Sequence, residues 1–361
     1  MMVSYLLEAL ANQPELNVTH LNLSVSIQSD QIGRLSFKKI LRLAFICLKL
    51  FKLLVFERPQ LALLIPAPSK KAAIMRDLPL VTLLRLFQIP RIFHWHAYGL
   101  GVYCKHLKPG FWKHLMHWNY DQAQASWILS SRLEEDAKVF QPDSIKIIPN
   151  GIPDDFETIA QTLMAQRQMR LRTRISNPNA NNPNINLLYL SALSEEKGLF
   201  TALETLRQLN DHTTARLVIA GTFADTATQQ AFESFCQRYP DLQIELAGFV
   251  EGDAKKQLLE QSDLLLFTGT YPYECQPLTL IECLSAGLPF TALNWRGIPD
   301  LVPTGLSFLV DKPTPEAFAA QAKHILELDC FEQLRNHYLS RFTRAHFQQN
   351  VIASLERSPL R

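Results

Sequence analysis

At 361 residues with 47% hydrophobic side chains, the chain exceeds one ordinary domain and is apolar enough to fill two cores of roughly 150–200 residues each. No apolar run of about 18 or more residues lacks charges, which argues against a membrane-crossing helix, and residues 1–30 lack the charged start and apolar block of a cleavable signal. The net charge of +2 conceals an asymmetry: residues 33–118 carry 15 Lys/Arg against Glu57 and Asp77, a local +13, so the remainder carries −11.

In chain order, MMVSYLLEALANQ (1–13) reads as a helix and LNVTHLNLSV (16–25) as a strand. The stretch SFKKILRLAFICLKLFKLLVF (36–56) reads as a helix with Lys38, Arg42, Lys49 and Lys52 along one stripe and apolar residues over the rest. Strands are expected at 61–65, 91–95, 126–130 and 145–148, with a second basic and aromatic cluster at 103–118 containing Lys105, Lys108, Trp112 and Lys113. The Asn- and Pro-rich stretch 172–186 predicts a loose connector. Beyond it, strands are expected at 185–191, 215–221, 243–248, 263–268, 289–293 and 307–310, with helices at 198–209, 253–262 and 277–287, and helical structure over 331–356. Strands alternating with helices imply parallel sheets. Six scattered cysteines without CxxC spacing predict free thiols in a reducing cytosol, and no metal site is expected.

The most informative segment is YPYECQPLTLIECLSAGLP (271–289). Glu274 lies in a loop after a buried strand, and Glu282 lies in the helix that follows, seven residues intervening. Two acids beside a helix N-terminus suit a ligand with hydroxyls and a diphosphate: the carboxylates accept from the hydroxyls, and the first N–H groups of the helix face the anion. Pro277, Leu278 and Thr279 form that helix start. Lys197, in SEEKG, ends the loop after strand 185–191, where it either reaches a phosphate or is a plain exposed lysine; Gly198 follows it. In FHWHAYGLG (93–101), His94 and His96 alternate at a strand end that runs into glycines. Asp77 either pairs with a local cation or orients an acceptor hydroxyl.

These residues resemble the E-x7-E region of retaining GT-B glycosyltransferases of family 4. The resemblance extends through LPFTALNWRGIPDLV (288–302), IIPNGI (147–152) and LLYLSALSEEKG (187–198). It implies an α/β fold of GT-B type, with two Rossmann-like doubly wound domains facing a central cleft. The expected domains are 1–152 on the acceptor side, 153–338 for nucleotide-sugar binding, and a terminal helix in 339–361 that returns to the first domain. The implied activity is retaining transfer of a sugar from a UDP- or GDP-linked donor to a glycan or lipid-linked acceptor, in cell-surface polysaccharide or lipopolysaccharide biosynthesis. No cofactor is implied, the nucleotide-sugar being a substrate. By the same resemblance Glu274 and His96 meet the transferred sugar, Glu282 the ribose, and Lys197, Gly198, Pro277, Leu278 and Thr279 the donor.

Three departures stand out. The family's arginine five residues before the lysine is Ala192 here, which leaves Arg296 or helix amides to supply the charge. Cys275 and Gln276 alter the residues after the first acid. No glycine precedes Gly33, so the family's opening strand and Gly-rich turn are missing from this sequence. These departures keep alive a non-catalytic binding module and a sugar-nucleotide epimerase as alternatives. The basic apolar helix, with Lys38, Arg42, Lys49 and Lys52, reads by itself equally as an ordinary helix with a basic exposed edge; with the second cluster at 103–118 it predicts a peripheral contact with an anionic membrane on the cytoplasmic side. Nucleic acid is disfavoured, because the cations are interleaved with Leu, Ile and Phe.

Overall fold

The computed structural model describes residues 2–23, 37–176, 185–211 and 214–356, and the chain divides into two compact units. The first comprises Met1–Asn150, Pro272–Cys275 and Phe347–Arg361; the second comprises Gly151–Tyr271 and Gln276–His346.

The first unit contains α1 (Met2–Ala11), α2 (Phe37–Phe56), β1 (Ala62–Leu64), α3 (Lys71–Leu86), β2 (Arg91–Trp95), α4 (Leu100–His106), α5 (Phe111–Tyr120), β3 (Ala125–Ile128), α6 (Glu134–Lys138) and β4 (Ile145–Ile147). Its strands are parallel and lie in chain order β1-β2-β3-β4. Residues 16–23 take no strand, although the alternation of apolar and polar residues there predicts one; positions 24 and 25 lie outside the described residues. Leu21 and Leu23 instead pack beside Leu80 and Leu84 of α3 with the buried stripe Ile46, Leu50 and Leu54 of α2. Aromatic rings fill the layer between β2 and the helices, with Trp95 stacked on Phe140 at 5.7 Å.

The second unit begins with α7 (Ala160–Ser176), which carries helix into the stretch expected to be loose; residues 177–184 lie outside the described residues. There follow β5 (Ile185–Leu190), α8 (Leu199–Asn210), β6 (Ala215–Ala220), α9 (Thr226–Arg238), β7 (Gln243–Gly248), α10 (Gly252–Gln261), β8 (Leu264–Phe267), α11 (Leu278–Ser285), β9 (Phe290–Leu293), β10 (Leu309–Val310), α12 (Pro315–Leu326) and α13 (Phe331–Arg341). All strand pairs are parallel, in the order β10-β9-β8-β5-β6-β7. The chain grows outward from β5 to β7, then returns to β8 on the other flank of β5. That reversal opens a crevice at the carboxyl ends of β5 and β8, where open α/β sheets bind ligands.

The stretch expected to be helical, 331–356, forms two helices, α13 and α14 (Arg344–Glu356). The Phe342 N–H closes α13 on the Tyr338 carbonyl at 2.8 Å, and Ile152 takes the next bonds: its N–H donates to the Phe342 carbonyl at 2.9 Å, and the Arg344 N–H donates to its carbonyl at 2.7 Å. Phe342 is fully buried at the break, and the Thr343 hydroxyl accepts from the His346 N–H to start α14. From Phe347 onward the helix groups with the first unit, where Phe347 stacks on His94 at 6.2 Å and the Lys146 amine donates to the Ser354 carbonyl at 2.7 Å.

Arg167 on α7 is the main polar tie in the second core. Its guanidinium is completely buried and donates to the carbonyls of Leu259, Ser262, Ala286 and Gly287 at 2.9–3.0 Å. These carbonyls end α10 and α11, so one side chain satisfies the orphan acceptors of two helix C-termini. Replacing it by methionine keeps much of the volume and strands those acceptors away from water. Arg167→Met is expected to cost about 3–5 kcal/mol of stability, read from the urea midpoint at unchanged slope.

Candidate functional site

The loops leaving β5 and β8 are locked together. Gly198 has φ +81° and caps α8; a Cβ there would lie 2.4 Å from the Thr268 carbonyl, so only glycine fits. The Thr268 hydroxyl donates to the Gly198 carbonyl at 2.7 Å, and the Thr270 N–H donates to the Glu196 carbonyl at 2.9 Å. From beneath, the buried Tyr189 of β5 donates its hydroxyl to the Lys197 carbonyl at 2.9 Å. The Lys197 N–H donates to the Ser194 hydroxyl at 3.2 Å. With its backbone held on both sides, Lys197 extends its ammonium over the face of Tyr271, 4.0 Å from the ring centroid. Tyr189, Thr268 and Tyr271 were not singled out by sequence reasoning; the aromatic pair in YPYE was the visible signal for Tyr271.

At the other flank of the switch point, Pro277 caps α11, and Leu278 and Thr279 occupy its first half-buried positions. Their N–H groups precede any intrahelical acceptor, so the helix end presents donors and a partial positive charge. Glu282 sits one turn further along, with only 13% of its side chain exposed, and it accepts from the Lys255 amine of α10 at 2.5 Å. Burial pushes the Glu282 carboxyl above the usual range; Lys255 opposes the rise and Asp155 adds to it. The pairing of Glu282 with a lysine was one alternative for this acid, and Lys255 itself was missed because a lone Lys-Lys step in a helix carries no signal. Arg296 lies in the left-handed region at φ +52° and stacks its guanidinium on Trp295, centred 4.5 Å away.

Glu274 is half-buried in the short segment Pro272–Cys275, which belongs to the first unit. The Tyr98 N–H donates to the Tyr273 carbonyl at 3.3 Å, and Cys275 is buried against Leu129, Leu133 and Tyr98. Cys275 therefore serves as an apolar plug. In the same unit the loop after β2 is fixed by Asp136, which accepts from the N–H groups of Gly99 and Val102 at 2.9 and 2.7 Å. Asp77 is buried and accepts from Arg76 at 2.6 Å and from the Ala67 N–H at 2.8 Å, so it is a local anchor.

His94 is fully buried on β2, and its Nδ1 faces the His96 Nε2 at 3.3 Å. Burial lowers both imidazoles, His96 to about 4 and His94 well below 6.5, where the neighbouring His96 adds to the effect. His96 is thus neutral at pH 7 and offers a hydrogen bond without a charge. Because the folded state resists protonation and the unfolded chain accepts protons below about 6.5, stability is complete above that pH and falls as pH drops toward about 4. Thermal melts from pH 7.5 to 4.5 are expected to show this decline, and His96→Asn is expected to flatten it.

Residues 172–344 match the family "Glycosyl transferases group 1". A Salmonella typhimurium protein named a colanic acid biosynthesis glycosyltransferase, WcaL, is 29% identical over 154 residues, covering 40% of this chain and 37% of that protein. An uncharacterised glycosyltransferase of Methanocaldococcus jannaschii is 24% identical over 187 residues, covering 51% and 45%. The chain thus spans less than half the length of these curated relatives. Among solved structures, Anabaena HepE in complex with UDP superposes with a TM-score of 0.66 at 18% identity, covering 88% of this chain and 83% of that one. HepE has also been solved with UDP-glucose. At such identity the likeness is one of fold, and the fold is GT-B, with two Rossmann-like parallel sheets.

Proposed function

We propose that this chain, which falls in glycosyl transferases group 1 through residues 172–344, moves a monosaccharide from a nucleotide-sugar donor to a glycan or lipid-linked acceptor with retention at the anomeric carbon. The observation that carries the reading is the Lys197–Gly198–Thr268 lock, which holds one ammonium at the carboxyl edge of β5, while the N-terminus of α11 follows the neighbouring strand β8. A diphosphate leaving group suits that pair of positive features. Glu282 accepts from the vicinal hydroxyls of the ribose, and Lys255 beside it opposes the rise that burial imposes on its carboxyl. HepE, of the same fold, binds UDP, which favours a UDP-linked donor over a GDP-linked one.

The chemistry follows from charge. The bond from the anomeric carbon to the diphosphate breaks, and its electron pair leaves with the diphosphate, whose new charge meets Lys197 and the α11 amides. The acceptor oxygen bonds to the anomeric carbon on the face just vacated, and its proton passes to the departing phosphate oxygen. We assign Glu274 and His96 to the transferred sugar on the family resemblance; His96, lowered to about 4 by burial, is neutral at pH 7. Relatives named for colanic acid biosynthesis support a place in surface polysaccharide assembly.

The test is incubation with radiolabelled UDP- and GDP-sugars, with and without a lipid extract as acceptor source. Transfer or slow donor hydrolysis is expected. Epimer formation, or silence with no nucleotide bound, would remove the reading. Lys197→Ala is expected to lower kcat/KM on the order of 100-fold, mainly through kcat, and Glu282→Ala to raise the donor Kd about tenfold or more. Full activity in both variants would refute the assignment of these side chains.

A further inference from the structure

Helix α2 is anchored on one side only. Ile46, Leu50 and Leu54, spaced four apart, pack with Leu80 and Leu84, and Phe51 sets its ring edge-on to Phe87 at 5.7 Å. The opposite side faces outward: Phe37 is 74% exposed, Ile40 54%, Leu41 54%, Phe45 57%, Leu48 59% and Phe56 81%. At about 100° per residue, Ile40, Phe51, Phe37, Val55, Leu48 and Leu41 fall within roughly 100° of arc. Lys52, Lys38, Lys49 and Arg42 fill about the next 80°, with Phe45 and Phe56 among them. Lys49 lies over the Phe45 ring at 4.7 Å, so its stem runs along apolar surface while its head stays outermost. The 20 residues of the helix contain five cations and no acid.

We infer that this outward face of α2 is a docking surface for an anionic lipid bilayer, with the apolar arc entering the headgroup layer and the cationic stripe lying on lipid phosphates. The split into one apolar and one cationic sector is what a helix lying in a membrane interface requires. Among the described residues no helix is long and apolar enough to cross a membrane, so the contact is superficial. A second copy of the chain is the poorer occupant, because a two-fold pairing of this outward face on itself would set four cations against four. The cluster expected at 103–118 contributes less, since Trp112 turns inward to donate to the Tyr103 hydroxyl at 3.2 Å and Lys113 donates to the Lys105 carbonyl at 3.3 Å. This inference rests on α2 alone and stands apart from the transferase reading.

The test is co-sedimentation of the full chain with phosphatidylcholine vesicles, with or without phosphatidylglycerol, across a salt series. Pelleting is expected only with phosphatidylglycerol, weakening as salt rises. Substituting Lys38, Lys49 and Lys52 together by glutamine is expected to lower vesicle affinity on the order of 100-fold, about fivefold per cation. Leu41→Ser with Leu48→Ser is expected to keep the low-salt attraction and lose whatever persists at higher salt. The exposed control Lys312→Gln is expected to bind like the parent, and circular dichroism confirms that each variant folds. No pelleting with anionic vesicles at low salt overturns the inference. So does undiminished binding by the triple variant, or self-association that depends on Leu48 without vesicle binding.

Discussion

The contact of Gly198 with Thr268 is the constraint on which the second unit's site depends. Two loops that leave neighbouring strands are brought so close that no side chain fits between them, and the Thr268 hydroxyl closes the gap. Everything useful follows from that closeness. Lys197 precedes the glycine, and its backbone is held by Tyr189 below and Ser194 beside it, so the ammonium has a defined origin. Tyr271 lies three residues past Thr268, and its ring receives that ammonium. On the proposed reading, such a loop pair would offer positive charge to an anion with little reorganisation, the setting in which electrostatic stabilisation is strongest.

Two charges enclosed in the same unit meet different surroundings. Arg167 is enclosed entirely and gives all its bonds to carbonyls, so it is cement between α7 and the ends of α10 and α11. Glu282 is enclosed less completely and meets one lysine, leaving acceptor capacity for a ligand's hydroxyls. A buried carboxylate with a single cationic partner is costly to keep unless it serves recognition.

The first unit is organised around histidine and aromatic packing. His94 lies between Trp127 and Phe347 rings, with His96 4.1 Å away, so neither imidazole gains a proton easily. Asp136 fixes the Gly99–Val102 backbone that follows. Four of this half's cations, Lys38, Arg42, Lys49 and Lys52, collect on one stripe of α2, whose other face packs on α3.

Most of the strands were legible in the sequence because apolar runs bounded by polar turns admit few alternatives, and β2, β5, β6 and β8 fall where those runs lie. The strand expected at 16–25 is absent over 16–23, since local pattern does not record that Leu21 and Leu23 are claimed by a helix layer; the helical stretch 331–356 is helical, but its break at Phe342 and Thr343, where Ile152 takes the bonds, was not written in the pattern. The E-x7-E spacing, the SEEKG lysine and the basic stripe were fixed by residue order, because they are properties of neighbours along the chain. The Gly198–Thr268 lock, the Lys255 partner of Glu282 and the neutrality of His96 were decided only by tertiary structure. Each depends on atoms tens of residues apart, or on how much water a fold excludes, and neither distance nor desolvation is written in the order of residues.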